Sequence, residues 1–229
     1  FPENFNKLEL SRAYNEHTKD LKPIQHEIVG DGPVLENVTE GDDIDVTKFP
    51  APQWNPDDGG RYIGTGCFII SRDPENGWIN CGTYRVMVHD EKRVGLYISP
   101  GKHGRIHRDK YMAKSEPMPV CIVVGSDPLS FLTSSTEAPE GMCELDMMGA
   151  YRGHAIECVT GKHTGLPFPA KSEVVIEGFI HPGNTAPEGP FGEWLGYQGG
   201  LMEAEPWVDV TAIYHRNDPI LLGAAHIRL

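Results

Sequence analysis

The sequence predicts a mainly β domain, an antiparallel barrel in preference to a parallel α/β sheet. Runs rich in β-branched and aromatic residues recur along the chain: "RYIGTGCFIIS", "WINCGTYRVMVH", "RVGLYIS", "MPVCIVVG", "HAIECVTG", "SEVVIEGFI", "WVDVTAIYH" and "ILLGAAHI". Turns such as "DPENG", "DEK" and "RNDP" divide them. Few helical stretches lie between them, whereas a parallel sheet requires a helix between successive strands.

Taken in order, residues 3–22 read as a polar surface helix or linker that Pro23 stops, so residues 1–33 are set apart from the strand-rich remainder, 34–229. Two short helices are expected, near Arg105 to Lys114 and Leu145 to Arg152. Late in the chain "EGPFGEW", Glu188 to Trp194, matches neither a helical nor a strand pattern, and it fixes two carboxylates with a proline and two glycines.

Composition narrows the function classes. The 229 residues are 39% hydrophobic and 23% charged, ordinary for a globular chain able to bury a core. No run approaches the roughly eighteen apolar residues of a membrane span, and no basic-then-apolar leader opens the chain. The expectation is a soluble, cytoplasmic protein, with residues missing upstream of Phe1. Five cysteines, an odd count without a CxxC pair, point to a reducing compartment and against a zinc or disulfide framework. A formal charge of −13 argues against nucleic acid or an anionic membrane as partner, because both demand a positive face.

In so acidic a chain a positive cluster is informative. "GKHGRIHRDKY" crowds Lys102, His103, Arg105, His107, Arg108 and Lys110 into one turn and the start of a helix, where backbone amides and a lysine suit a phosphate. A solvated basic turn explains the same residues. Asn80, His103 and Glu144 are scattered hard-cation ligands, two oxygens and a nitrogen of the kind manganese or magnesium accepts beside phosphate oxygens. Spacing alone does not join them, and each also reads as a capping or hydrogen-bonded structural residue.

"ENVTEGDDIDVTKFPAPQWNPDDGGRYIGTG", "NCGTYRVMVH", "LYISPGKHGRIHRDKY", "PAKSEVVIEGFI" and "APEGPFGEWLGY", in this order, resemble the central portion of the UbiD family of decarboxylases, above all its members acting on hydroxylated aromatic acids such as protocatechuate or gallate. The resemblance runs from Val34 to about Leu222. It implies a split barrel like that of flavin reductases, prenylated FMN as cofactor with manganese (or magnesium) and potassium, and a flavin prenyltransferase as cofactor supplier. It also implies a small aromatic acid as substrate and a homo-oligomer when full length. Family members are longer, so the N-terminal domain is expected to be incomplete here and the C-terminal α/β domain absent.

The resemblance also assigns residues. The metal ligands fall on Asn80, His103 and Glu144. Cofactor or monovalent-cation contacts fall on Thr65, Cys81, Gly82, Thr83, Arg85, Lys102, His103, Ser134, Ser135 and Thr136. The catalytic Glu, Arg, Glu network falls on Glu188, Arg85 and Glu193, with Glu193 delivering the proton and Arg85 binding the substrate carboxylate or tuning the acids. Trp194 and Ile98 are candidates for the near wall of the substrate pocket.

Elementary chemistry makes that division reasonable: an arginine between two acids lowers their pKa, while burial against Phe191 and Trp194 and mutual repulsion raise it, so one acid donates while the other stays charged. A surface turn closed by an arginine would use the same three residues, without a reason for the apolar neighbours. Asn80 and Arg85 have opposite parity in a strand, so both face one site only if Gly82 marks a bulge or bend. Two other readings remain. An FMN oxidoreductase on the same barrel would be bleached by NADH and has no use for the acid pair. A non-catalytic flavin-binding module is suggested by the expected absence of the C-terminal domain, and it fails for the parent protein if a further domain's length of chain follows Leu229.

Overall fold

The structure is a computed structural model that describes residues 6–192, 198–199 and 203–224. In chain order its helices are α1 (Lys7–Thr18), α2 (His103–Ala113), α3 (Pro128–Ser135) and α4 (Glu144–Arg152). The strands are β1 (Glu27–Ile28), β2 (Asn37–Glu40), β3 (Arg61–Gly64), β4 (Cys67–Arg72), β5 (Ile79–Gly82), β6 (Val86–Val88), β7 (Arg93–Leu96), β8 (Met118–Val124), β9 (Glu157–Thr160), β10 (Pro167–Pro169), β11 (Val174–Glu188), β12 (Phe191–Gly192), β13 (Gln198–Gly199) and β14 (Glu203–His215).

The main sheet among the described residues has nine strands in the order β3-β6-β7-β14-β11-β8-β4-β5, with β2 also paired to β14. Its pairs are antiparallel, and its ends, β3 and β5, are not joined, so the barrel is split. Alternation explains why each strand sits still. On β8 Val120, Ile122 and Val124 enter one core while Cys121 and Val123 enter another on the opposite face. The first core collects residues from β3, β4, β6, β7, β8, β11 and β14, which is the barrel interior. The second lies between the sheet, α4 and the small sheet β1-β9-β10.

The phase flips within β14: Val208 and Val210 face the first core, yet Ala212 and Tyr214 face the second. Glu177 pairs with Ala212 and Gly178 with Val210, leaving Thr211 as the extra residue of a bulge. At Gly178 a Cβ would lie 2.3 Å from the Asp209 carbonyl oxygen, so the bulge requires glycine there.

Several expectations need correction. The helix over residues 3–22 is shorter: Asn6 caps α1 through the Leu8 and Glu9 amides, and the helix ends at Thr18. "WINCGTYRVMVH" is two strands, β5 and β6, separated at Thr83 to Arg85, which realises the bend expected at Gly82. "EGPFGEW" is not simply a loop, since Glu188 ends β11 and Phe191–Gly192 pairs with Gln198–Gly199. "ILLGAAHI" forms no strand over residues 220–224; its later residues lie outside the described ones. No helix among the described residues is long and apolar enough to cross a membrane.

Candidate active site

The two motifs read from the sequence line two adjoining cavities, the two ends of the candidate site. The narrower end, about 60 Å³, is lined by Asn80, Cys81, Gly82 and Thr83 of the β5 exit, by Lys102 and His103 at the start of α2, and by Ser134, Ser135, Thr136 and Glu144. The wider end, about 300 Å³, is lined by Thr65, Thr83, Arg85, Tyr97, Phe131 and Phe191 among others. Thr83 and Tyr84 line both, so the two ends adjoin. The first has room for a few water-sized groups and the second for a ring system.

At the narrow end, β5 delivers Asn80 and α4 delivers Glu144, both 2% exposed. The Glu144 carboxylate accepts the Cys81 N–H at 2.7 Å and has no ion-pair partner among the described residues; burial pushes its pKa up to about 7. Asn80 lies beside the Tyr84 hydroxyl, yet its Nδ2 is buried without a hydrogen bond. His103 stands edge-on to Trp78, ring centres 4.8 Å apart. A buried carboxyl short of a cation and a buried amide short of a partner are what a bound divalent ion and its phosphate would satisfy, so the residues fit such a group.

The remaining narrow-end residues divide by what they offer. Ser134, Ser135 and Thr136 donate their hydroxyl protons to the carbonyls of Phe131 and Leu132, leaving oxygen lone pairs open toward the cleft. Lys102 is half-exposed and 3.8 Å from Glu137, so its ammonium remains accessible to an anion. Cys81 contributes backbone, because its thiol is packed in the second core and burial pushes its pKa well up. Glycines at 82 and 104 flank the Tyr84 ring, and the Gly104 N–H donates to the Tyr84 hydroxyl at 3.2 Å.

At the wide end Arg85 grips Glu188 through two parallel hydrogen bonds of 2.8 and 2.7 Å. The guanidinium lies 4.4 Å from the centre of the Tyr97 ring and 5.6 Å from that of Phe191. Tyr62 donates its hydroxyl to Glu188 Oε1 at 3.0 Å and packs on Phe191, 4.4 Å between ring centres. Burial, helped by the Glu188 charge, raises the Tyr62 pKa far above its ordinary value, so Tyr62 stays a donor.

The structure thus brings together Asn80, His103 and Glu144, and separately Arg85 and Glu188. Thr65 is in the wide end, apart from the serines it was grouped with, and its Oγ1 accepts the Ala224 N–H at 2.9 Å. Ile98 is a correction: it is fully buried in the barrel core and does not line the cleft. Glu193 and Trp194 lie outside the described residues. Sequence reasoning missed Tyr62, Tyr97 and Phe131. "RYIGTG" and "LYIS" held two of these, the tyrosines, in plain view, but only the fold shows which neighbours they meet.

A protein-family model described as UbiD, 3-octaprenyl-4-hydroxybenzoate carboxy-lyase Rift-related domain, matches residues 27–228. Among curated proteins, the pyrrole-2-carboxylic acid decarboxylase of Pseudomonas aeruginosa is 34% identical over 200 residues, covering 87% of this chain and 40% of its own. Among solved structures, the vanillic acid decarboxylase of Sedimentibacter hydroxybenzoicus in closed form is 31% identical with a TM-score of 0.88, covering 96% of this chain and 48% of that one. An evolved dimeric form of the UbiD-class enzyme HmfF from Pelotomaculum thermopropionicum, in complex with prFMN, is 30% identical with a TM-score of 0.83, covering 92% and 48%. The chain spans less than half the length of these relatives.

Proposed function

The chain belongs to the UbiD family, and on that premise we propose that it is the flavin-binding part of a decarboxylase that releases carbon dioxide reversibly, without oxidation, from an aromatic carboxylic acid. The observation that carries this is the adjoining of two chemically different cavities, an oxygen-rich narrow end and an aromatic wide end lined by Arg85, which Glu188 holds.

Asn80, His103 and Glu144 would hold manganese or magnesium against the cofactor phosphate, with Ser134, Ser135 and Thr136 offering oxygens to potassium. The ring system would lie past Thr83 and Tyr84 toward Arg85. Prenylated FMN, when bound, supplies an electron sink for the carbon that loses carbon dioxide. Arg85 would orient the substrate carboxylate, since it lines the wide end while Glu188 fixes its Nε and Nη2. Tyr97 and Phe191 lie against that guanidinium and partly shield it from water, which strengthens its pull on a carboxylate. Glu193 would return a proton to the ring carbon, and Glu188, bonded to Arg85 and Tyr62, would hold the arginine's direction.

A hydroxylated benzoic acid is the substrate class we favour, with a flavin prenyltransferase supplying the cofactor, further domains on either side of residues 34–229 completing the pocket, and a homo-oligomeric, cytoplasmic holoenzyme. The test is carbon dioxide release from a panel of aromatic acids by the full-length protein expressed with a prenyltransferase. Turnover without a redox partner is expected, and Glu193→Gln should lower it at least about a hundredfold with flavin retained. Bleaching of the flavin by NADH, with no carbon dioxide released, would instead favour an FMN oxidoreductase.

A further inference from the structure

The turn over residues 52–62 touches the acid-bearing segment at three places. At its base the Tyr62 N–H donates to the Pro52 carbonyl at 3.0 Å, which sets the start of β3 and the tyrosine that bonds Glu188. At its tip Asp58, 5% exposed, accepts the Gly192 N–H on Oδ1 at 3.2 Å and the Asn55 N–H on Oδ2 at 2.8 Å. Beside it the Gly59 N–H donates to the Pro190 carbonyl at 2.8 Å. A Cβ on Gly59 would lie 1.8 Å from the Gly189 carbonyl oxygen, so backbone meets backbone there. Gln53 braces the tip, donating to the Asp58 carbonyl at 2.9 Å.

From this geometry we propose that Asp58 is a positioning residue for the Arg85 and Glu188 pair, a role that rests on the decarboxylase reading for its use but not for its geometry. Glu188 is held directly by Arg85 and Tyr62. The next four residues, Gly189 to Gly192, are held by Asp58 and Gly59, and they place Phe191 against both Tyr62 and the Arg85 guanidinium. Releasing Gly192 therefore loosens Phe191, and with it one wall of the arginine. In sequence the segment is followed by Glu193. A buried aspartate suits this better than a neutral residue, because two backbone N–H groups converge on it and charge-assisted bonds hold direction more strongly.

The test is side-chain and amide NMR on this chain, with Asp58→Ala and Asp58→Asn. In the wild type the Arg85 Nε–H and the Gly192 amide should both exchange slowly with water; rapid exchange at Gly192 overturns the proposal whatever the variants do. In Asp58→Ala the Arg85 Nε–H should exchange about tenfold faster, the scale of one lost hydrogen bond, while the Ile122 amide in β8 stays protected. Asp58→Asn keeps one oxygen to accept the Gly192 N–H but loses the second acceptor that serves Asn55, so it should recover only part of the protection. An unchanged Arg85 signal in a folded Asp58→Ala overturns the proposal. In the full-length holoenzyme the same alanine variant should lower kcat about tenfold with KM little changed, and an unchanged kcat overturns the positioning role. Absence of any decarboxylation by the wild type would sink the functional reading alone, and the NMR result would still decide whether Asp58 holds the pair.

Discussion

Arg85 and Glu188 are joined by two parallel hydrogen bonds although 103 residues separate them, and the Glu188 side chain is only 1% exposed. A buried carboxylate held this way depends on its partner more than it stabilises the fold. Arg85→Met should therefore cost about 3 kcal/mol or more, and adding Glu188→Gln should recover part of the loss. Urea denaturation of the two variants checks it; an Arg85→Met protein as stable as wild type would contradict it.

Tyr62→Phe removes one of the three side-chain hydrogen bonds that Glu188 makes among the described residues and leaves the arginine pair intact. Stability should fall by about 1.5 kcal/mol, the lower range for a bond to a charged group. Turnover should fall less than in Glu188→Gln. Equal losses in the two variants would mean that the tyrosine itself handles the proton.

Acid sensitivity should track His107. It is fully buried, its Nδ1 lies 2.9 Å from the Ser71 hydroxyl, and burial pulls its pKa down to about 4. The unfolded chain, with a histidine pKa near about 6.5, binds a proton in this window that the fold refuses, so stability falls as pH drops from about 6.5 to about 4, by up to about 3 kcal/mol. Chemical denaturation across that range should show this slope, and His107→Gln should flatten it. An unchanged slope would assign the acid sensitivity to another group.

Glu144→Ala should lose divalent metal and flavin together, because phosphate and the remaining site dipoles no longer share a cation. Metal analysis and flavin absorbance on one sample read both. Full flavin retention without metal would contradict the assignment of Asn80, His103 and Glu144.

Much of this was legible in the sequence because strand periodicity and local chemistry agree. β8 reads as a strand and is one, and the parity conflict between Asn80 and Arg85 located the break after Gly82. What escaped depends on long-range pairing or weak propensity. Tyr62 reaches Glu188 across 126 residues, so nothing local to "RYIGTG" marks it. "PLSFLTSS" is poor in strong helix formers, yet α3 forms; Asp127 capping Leu129 and Ser130, with Pro128 at the first position, was the available signal. "ILLGAAHI" has the apolar character of a strand, but Ile220 is 77% exposed and the segment runs past Thr65 without a ladder partner among the described residues. Apolar character there is not evidence of pairing.

Anomalous diffraction from crystals of the flavin-loaded protein grown with manganese would decide whether the site holds a metal and flavin phosphate at its narrow end and the flavin ring at Arg85. A manganese peak is expected within bonding distance of Asn80, His103 and Glu144, with flavin density running past Thr83 and Tyr84 to Arg85. A manganese peak elsewhere, or a flavin ring lying outside the cleft, would contradict it.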